Sequence, residues 1–421
     1  MPFLILGLAA EYGACKIRAL DQTGVSTLFE SLEAKPADAI LKLIAEHQND
    51  PRPEKVDLGV GVYRDADGNT PVLDSVKAAE RWLVETQASK SYLGSRGDAE
   101  YCKAIERLVL GDAAAGDKRL STVQSPGGSG ALRVAAELIL RAAPKARMWV
   151  SDPTWNNHVP LLGGAGLELC AYPYYDTTAN VIRFDAMLEA LGDARAGDLL
   201  LLHGCCHNPT GMDLSREQWL AVADVVSERR LIPFIDFAYQ GFADGMEEDA
   251  FPARLLYERV PEMVITHSCS KNFGLYRDRV GALTVAAADA DSATRLDSQA
   301  LSVVRTMYSV PPDHGAAVVA KILKEPELRK TWEVEVEDMR ARLKSMRALL
   351  VRALEMAAPG HDFSHIERTT GMFCYLGITP EQVARIKAER GVYMVDSSRI
   401  NVCGITEANV TYLAESVASI L

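Results

Sequence analysis

Between about residues 120 and 290 the chain alternates short, almost uniformly apolar runs with stretches of helical periodicity. The runs are RMWVSD (147–152), DLLLLHGC (198–205), LIPFIDFAY (231–239), MVITHSCS (263–270) and GALTVAAA (281–288). Runs this short and this apolar predict strands buried on both faces. SREQWLAVADVVSERR (215–230) instead places Trp219, Val222, Ala223 and Val226 on one helical face, and Ser215 with Gln218 supplies a capping box at its start. Buried strands separated by amphipathic helices predict an α/β fold, a three-layer sandwich around a mostly parallel sheet.

The pattern changes after about residue 313. A long charged helical stretch (326–357) leads into short strands around GMFCYLGI, VYMVD and RINVCG. Between the first two, TPEQVARIKAERG has Thr379 as cap, Pro380 in the first turn and Gly391 as stop. This predicts a smaller α+β domain, 28–69 with 313–421, beside a large domain, 70–312. A chain of 421 residues is long enough for two cores. Residues 1–27 form an N-terminal extension without an assigned role. Its apolar run, MPFLILGLAA, is too short to span a bilayer and has no basic residue before it, so it reads as a packed arm or an over-long start.

Composition narrows the chemistry. The chain is 48% hydrophobic and 24% charged, with a net charge of −12. Neither nucleic acid nor a membrane is an expected partner, and an anionic substrate must be captured locally by a few arginines. The eight cysteines are scattered, without a CxxC pair or a Cys/His zinc spacing. That predicts reduced thiols, a cytoplasmic setting and no metal centre.

Ligands of open α/β sheets sit beyond the carboxyl ends of the strands. Asn208, Asp236, Tyr239 and Lys271 are expected there. In SCSKNFGLYRDRVG (268–281), Lys271 follows an apolar run, between Ser268 and Ser270 on one side and Arg279 on the other. A lysine amine is nucleophilic when burial or a nearby cation brings it toward neutrality, although most lysines are solvated charges. Asp236 lies in the apolar run IPFIDFAY, where a charge is costly unless paired. Its partner is an arginine, a helix cap or a cationic heterocycle. Pyridoxal phosphate is such a heterocycle, and its ring nitrogen pairs with an acid while its aldehyde bonds a lysine. SPGGSGALRVAAELIL offers a glycine-rich turn and a helix starting near Ser129, suited to a phosphate. Ser268 and Arg279 could add a hydroxyl and a charged fork. Tyr239 and Asn208 suit the cofactor's phenolic oxygen, and Trp155 suits its ring face. His158 and His203 read as supporting groups.

These residues resemble the class I aminotransferases that use pyridoxal phosphate, specifically the aspartate aminotransferase branch, which includes bacterial aromatic aminotransferases. The resemblance runs from about residue 28 to the end. It is carried by DLGVGVYRDADGNTPVL, SYLGSRGDAEY, PGGSGALR, DPTWNNH, HGCCHNPTG, IDFAYQGF, SKNFGLYRDRVG, YSVPPDHG, GMF and SSRINVCG, in that order. It implies fold type I, a homodimer with shared active sites, and transfer of an amino group from aspartate to 2-oxoglutarate, with amino acids and 2-oxo acids as substrates. It also implies roles for particular residues. Lys271 bonds the cofactor and carries the proton, Asp236 holds the ring nitrogen, and Tyr239 and Asn208 bond the phenolic oxygen. Gly128, Ser129, Ser268 and Arg279 hold the phosphate, joined by Tyr92 from the neighbouring subunit, and Trp155 stacks on the ring. Arg399 forks the substrate α-carboxylate, Arg305 crosses from the partner to the side-chain carboxylate, and Gly61 lines the small-domain side. Cys269, Ser129 and Val310 depart from what many members carry, without removing a catalytic group. An aromatic aminotransferase of the same branch, a decarboxylase or lyase using the same cofactor, and a non-catalytic phosphate-binding protein are the alternatives.

Overall fold

The computed structural model describes residues 28–34 and 39–421. The chain divides into two compact units between Asp38 and Ala39. In the first, Leu32 N donates to Phe29 O at 3.1 Å in a short turn. The expected extension, 1–27, lies outside the described residues.

The second unit is built on a seven-stranded sheet. Its strands are β1 (Leu120–Pro126), β2 (Arg147–Asp152), β3 (Glu168–Pro173), β4 (Leu199–His203), β5 (Ile232–Phe237), β6 (Met263–Ser268) and β7 (Val280–Ala286). Across the sheet the order is β1-β7-β6-β5-β4-β2-β3. The pairings from β6 through β5, β4 and β2 to β3 are parallel, while β7 runs antiparallel to both β6 and β1.

Packing on both faces explains why the central strands read as continuous apolar runs. Leu199 and Leu201 join one core, with Ala131, Leu132 and Val134 of the Gly127–Ala142 helix and Val303 and Val304 of the Ala290–Met307 helix. Leu200 and Leu202 join the other, with Trp219, Val222 and Val226 of the Arg216–Arg229 helix and Trp332 and Val336 of the Pro326–Ala357 helix. Alternate side chains therefore face opposite helical layers, and each fully buried leucine contributes about 1.5–3 kcal/mol. Ser215 and Gln218 form the expected capping box, and Thr379 with Gln382 forms a second, ahead of Pro380–Arg390. Gly391 closes that helix at φ 64°, in the left-handed region where glycine is least strained.

Smaller strands lie outside this sheet. Val56–Asp57 pairs in parallel with Val392–Tyr393, and Phe373–Tyr375 pairs antiparallel with Arg399–Asn401. Leu58 O accepts from Asn401 N at 2.7 Å, tying the early segment to the late one.

The sheet's direction gathers the chemistry at one rim. β4, β5 and β6 end at His203, Phe237 and Ser268, just ahead of Asn208, Tyr239 and Lys271. β7 starts at the same rim because it is reversed, with Val280 opposite Pro126 at the end of β1. That register sets Arg279 beside Gly127.

Candidate active site

A cavity with about 670 Å³ of empty space opens at this rim. Its wall includes Gly128, Ser129, Trp155, Asn208, Asp236, Tyr239, Ser268, Lys271 and Arg279. Nine of the residues expected from the sequence are thus brought together.

The setting of Lys271 alters its amine. Burial, opposed by the Asp236 carboxylate and assisted by Arg279, brings its amine down to about 8. Its Nζ lies 4.9 Å from the Tyr239 ring centroid. Burial pushes the Tyr239 phenol well above its ordinary range, keeping it a hydrogen-bond donor.

Asp236 is 6% exposed, and its partners are neither of the protein groups expected for it, an arginine or a helix cap. Oδ2 lies 3.0 Å from His158 Nε2, and Oδ1 accepts from Thr266 Oγ1 at 3.1 Å. Burial opposes the charge, but the His158 hydrogen bond, the neighbouring imidazoles and Thr266 outweigh it and hold the carboxyl below its usual range. Thr154 Oγ1, 2.8 Å from His158 Nδ1, sets the far side of that ring. His203 stands 5.2 Å from the His158 ring and 4.2 Å from His207. Burial lowers His203 to about 3, so it stays neutral, and neither of its ring nitrogens has a partner among the described residues. Donor atoms of His158, His203 and Asp236 lie within 4.8 Å of one another. The nearest pair is engaged in its own hydrogen bond, so the cluster works as support for the acid. Sequence reasoning grouped the histidines near the site but missed Thr154 and Thr266, whose contacts span turns and strands that no local pattern reveals.

The opposite end of the cavity suits an anion. The Gly127–Ala142 helix starts two residues earlier than expected from the sequence, on Pro126, which provides no side-chain cap. Its first N–H groups therefore face the cavity without an internal acceptor. Gly127 has φ 73°, and a Cβ there would strike the Arg279 guanidinium. Ser268 Oγ and Ser270 Oγ are 3.1 Å apart, and Arg279 Nη1 donates to Tyr276 O at 3.0 Å. Glycine is thus needed to let an arginine fork lie along a helix N-terminus, an arrangement fitted to phosphate.

Four expected residues lie outside the cavity wall. Arg399 is 6% exposed, donates to Gly59 O at 3.4 Å, and has its Nε without a partner among the described residues. Its guanidinium carbon lies 4.4 Å from the Phe373 ring centroid, and burial lowers its pKa. A Cβ on Gly61 would meet Phe373 at 3.9 Å, which places Gly61 on this same side. Asn401 Nδ2 donates to Val62 O at 2.9 Å and holds the strip. Arg305 is exposed and donates from Nη1 to Ser309 Oγ at 2.5 Å. Tyr92 is 92% exposed. Neither lines the cavity of its own chain.

Residues 53–417 match the family model described as aminotransferase class I and II. The chain is 48% identical over 394 residues to the aromatic-amino-acid aminotransferase of Pseudomonas aeruginosa, covering 93% of this chain and 98% of that one. It is 47% identical over 396 residues to the aspartate aminotransferase of Escherichia coli, covering 94% and 100%. Its fold matches the crystal structure of an aromatic-amino-acid aminotransferase from Burkholderia pseudomallei covalently bound to pyridoxal phosphate, with TM-score 0.92, 43% identity and coverage of 94% and 100%. By sequence, by fold and by the residues at the strand ends, the chain belongs to the class I and II aminotransferases.

Proposed function

We propose that the chain moves the amino group of aspartate to 2-oxoglutarate, giving oxaloacetate and glutamate, with pyridoxal phosphate as cofactor. The observation that carries this reading is a buried amine and a buried carboxylate on one cavity, with an anion cradle at its end. Lys271 is brought down to about 8, Asp236 is held ionised by His158, and Gly128, Ser129 and Arg279 supply the cradle. These residues fit the cofactor at each of its polar positions. Asp236 would hold the ring nitrogen, Asn208 and Tyr239 the phenolic oxygen, and Gly128, Ser129, Ser268 and Arg279 the phosphate. Trp155 would cover the ring, and Tyr92 of a second copy would reach the phosphate.

Bound there, the cofactor supplies an aldehyde for the lysine and a cationic ring that withdraws electrons from the substrate Cα. Lys271 Nζ, once free, would take the Cα proton of a bound amino acid and carry it away from Cα. Asp236 would hold the ring nitrogen in its cationic form, and His158 keeps Asp236 anionic and oriented. Arg399 holds the α-carboxylate through a two-pronged fork, which a lysine would not match. Arg305, contributed by the partner in a homodimer, holds the side-chain carboxylate. Closure of the small domain, 28–69 with 313–421, over the large one, 70–312, would exclude water. Pairing of Val56–Asp57 with Val392–Tyr393 supports that division. A cytoplasmic setting is part of the proposal. No helix among the described residues is long and apolar enough to cross a membrane.

A second reading, a preference for aromatic amino acids, is favoured by relatives named for those substrates, at up to 48% identity. A substrate panel comparing aspartate with tyrosine decides between them. The test of the shared chemistry is Lys271→Ala. The variant should bind pyridoxal phosphate weakly and lose at least about 10⁴-fold in transamination, the scale on which acid–base groups act. Full activity in that variant contradicts the mechanism.

A further inference from the structure

A second set of contacts lies behind the cavity, where the loop carrying Asn208 meets the strand carrying Phe373. Asp213 stands at their junction. Its two carboxylate oxygens accept from the backbone N–H groups of Cys206 and His207, each at 2.8 Å, and Thr370 Oγ1 donates to the same carboxylate at 2.5 Å. The backbones interlock around it. Thr370 N donates to Gly211 O at 2.7 Å, and Gly211 N donates to His207 O at 2.6 Å. Gly211 has φ 68°, and a Cβ there would collide with Phe373 O. Gly371 has φ 70°, and a Cβ there would collide with the Cys206 side chain. Cys206 itself sits at φ 52°, a conformation that a side-chain-bearing residue adopts at a cost. Two bonds from one carboxylate to Cys206 and its neighbour offset that cost.

The same junction is braced from the other side. Arg347, 4% exposed, donates to Thr369 Oγ1 at 2.9 Å and to Gly371 O. The interlocked segments lead directly to the two ends of the reaction site. Asn208 follows His207 on one segment. On the other, Phe373 packs over Arg399 at 4.4 Å and stands edge-on to Tyr239, with ring centroids 6.3 Å apart.

We infer that Asp213 is a positioning residue. It holds the Asn208 loop with two oxygens and, through Thr370, sets Phe373 and hence the substrate-facing side of Arg399. This rests on the roles of Asn208 and Arg399 proposed above. The two arms are separable. Thr370→Val removes the arm toward Phe373 and leaves the carboxylate on the Asn208 loop. Asp213→Asn turns an amide N–H₂ toward a backbone N–H and disturbs both arms.

The test uses holoenzyme. It combines KM and kcat for aspartate, a pH titration of the visible absorption without substrate, and a urea midpoint. Thr370→Val should raise KM roughly tenfold, with kcat within about twofold and the absorption titration unmoved. Thr370→Ser should restore KM. Asp213→Asn should raise KM and also shift the absorption titration, because Asn208 is loosened. If Asp213→Asn does not fold, the two Thr370 variants decide alone. A Thr370→Val enzyme with a lower urea midpoint and unchanged KM overturns the inference, as does a shift of its absorption titration equal to that of Asp213→Asn. A colourless wild-type enzyme in the presence of pyridoxal phosphate overturns the cofactor reading itself, a separate and visible failure.

Discussion

Arg305 illustrates a residue whose proposed role cannot be read from its own chain. It lies at the last turn of Ala290–Met307, exposed, donating to Ser309 Oγ, with Ser309 at φ 67°. Nothing local distinguishes it from a solvated charge at a helix end, where a cation is favourable anyway. If it meets a substrate carboxylate across a dimer, reversing its charge acts on dicarboxylates selectively. Arg305→Asp should cut kcat/KM for aspartate by roughly a hundredfold and for phenylalanine by less than about tenfold. Equal losses for both substrates would remove Arg305 from the side-chain pocket. Asp236 shows the complementary limit of sequence reading. Its buried charge and its need for a partner were legible from IPFIDFAY, yet the protein partner is His158, 78 positions away, joined by Thr266 from the neighbouring strand. Asp213 and Thr370 escaped for the same reason. Each looks like an ordinary loop residue until a separation of 157 positions is folded away.

At the scale of elements, the legible strands were those rich in buried apolar side chains. β2 spans 147–152 as expected, and β4, β5, β6 and β7 lie within one or two residues of the apolar runs. β1, LSTVQSP, gave no such signal because four of its five buried residues are polar. Ser121 donates to Asp297 at 2.7 Å, Thr122 meets Thr284 at 2.8 Å, and Gln124 donates to Pro312 O at 2.6 Å. Pairing of this kind removes the cost of burying polar groups but leaves no hydrophobic period to read. β3 is an edge strand with a partly exposed face. The long Pro326–Ala357 helix was legible as a unit, though not for what it supports. Its Trp332 is fully buried, stacks on Phe273 with centroids 4.3 Å apart, and donates from Nε1 to Asn272 O at 2.7 Å. Asn272 follows Lys271, so the helix braces the lysine from behind. Trp332→Phe keeps most of the stacking area but leaves that carbonyl unpaired. It should lower stability by about 1–3 kcal/mol in urea unfolding. An unchanged midpoint would mean that water replaces the indole without loss.

At the scale of the whole molecule, the proposed sharing of sites between subunits makes a sharp expectation. In a symmetric dimer, each site would take Lys271 from one chain and Arg305 from the other. Lys271→Ala and Arg305→Ala should each fail with aspartate alone. After denaturation and refolding together in equal amounts, random pairing should restore about a quarter of the wild-type sites, since half the dimers then hold one intact site. No recovery in dimers of confirmed mixed composition would show that each chain completes its own site. The reversal of β7 bears on how such a site is assembled in the first place. Two parallel neighbours would need a crossover of a dozen or more residues to connect them. Because β7 turns back on β6, the Lys271 amine and the guanidinium beside Gly127 belong to one short stretch, Cys269 to Arg279. They form a cassette of fixed reach. A single insertion or deletion within it would throw the proposed cofactor lysine out of step with the proposed phosphate-binding arginine, while the rest of the scaffold stayed whole.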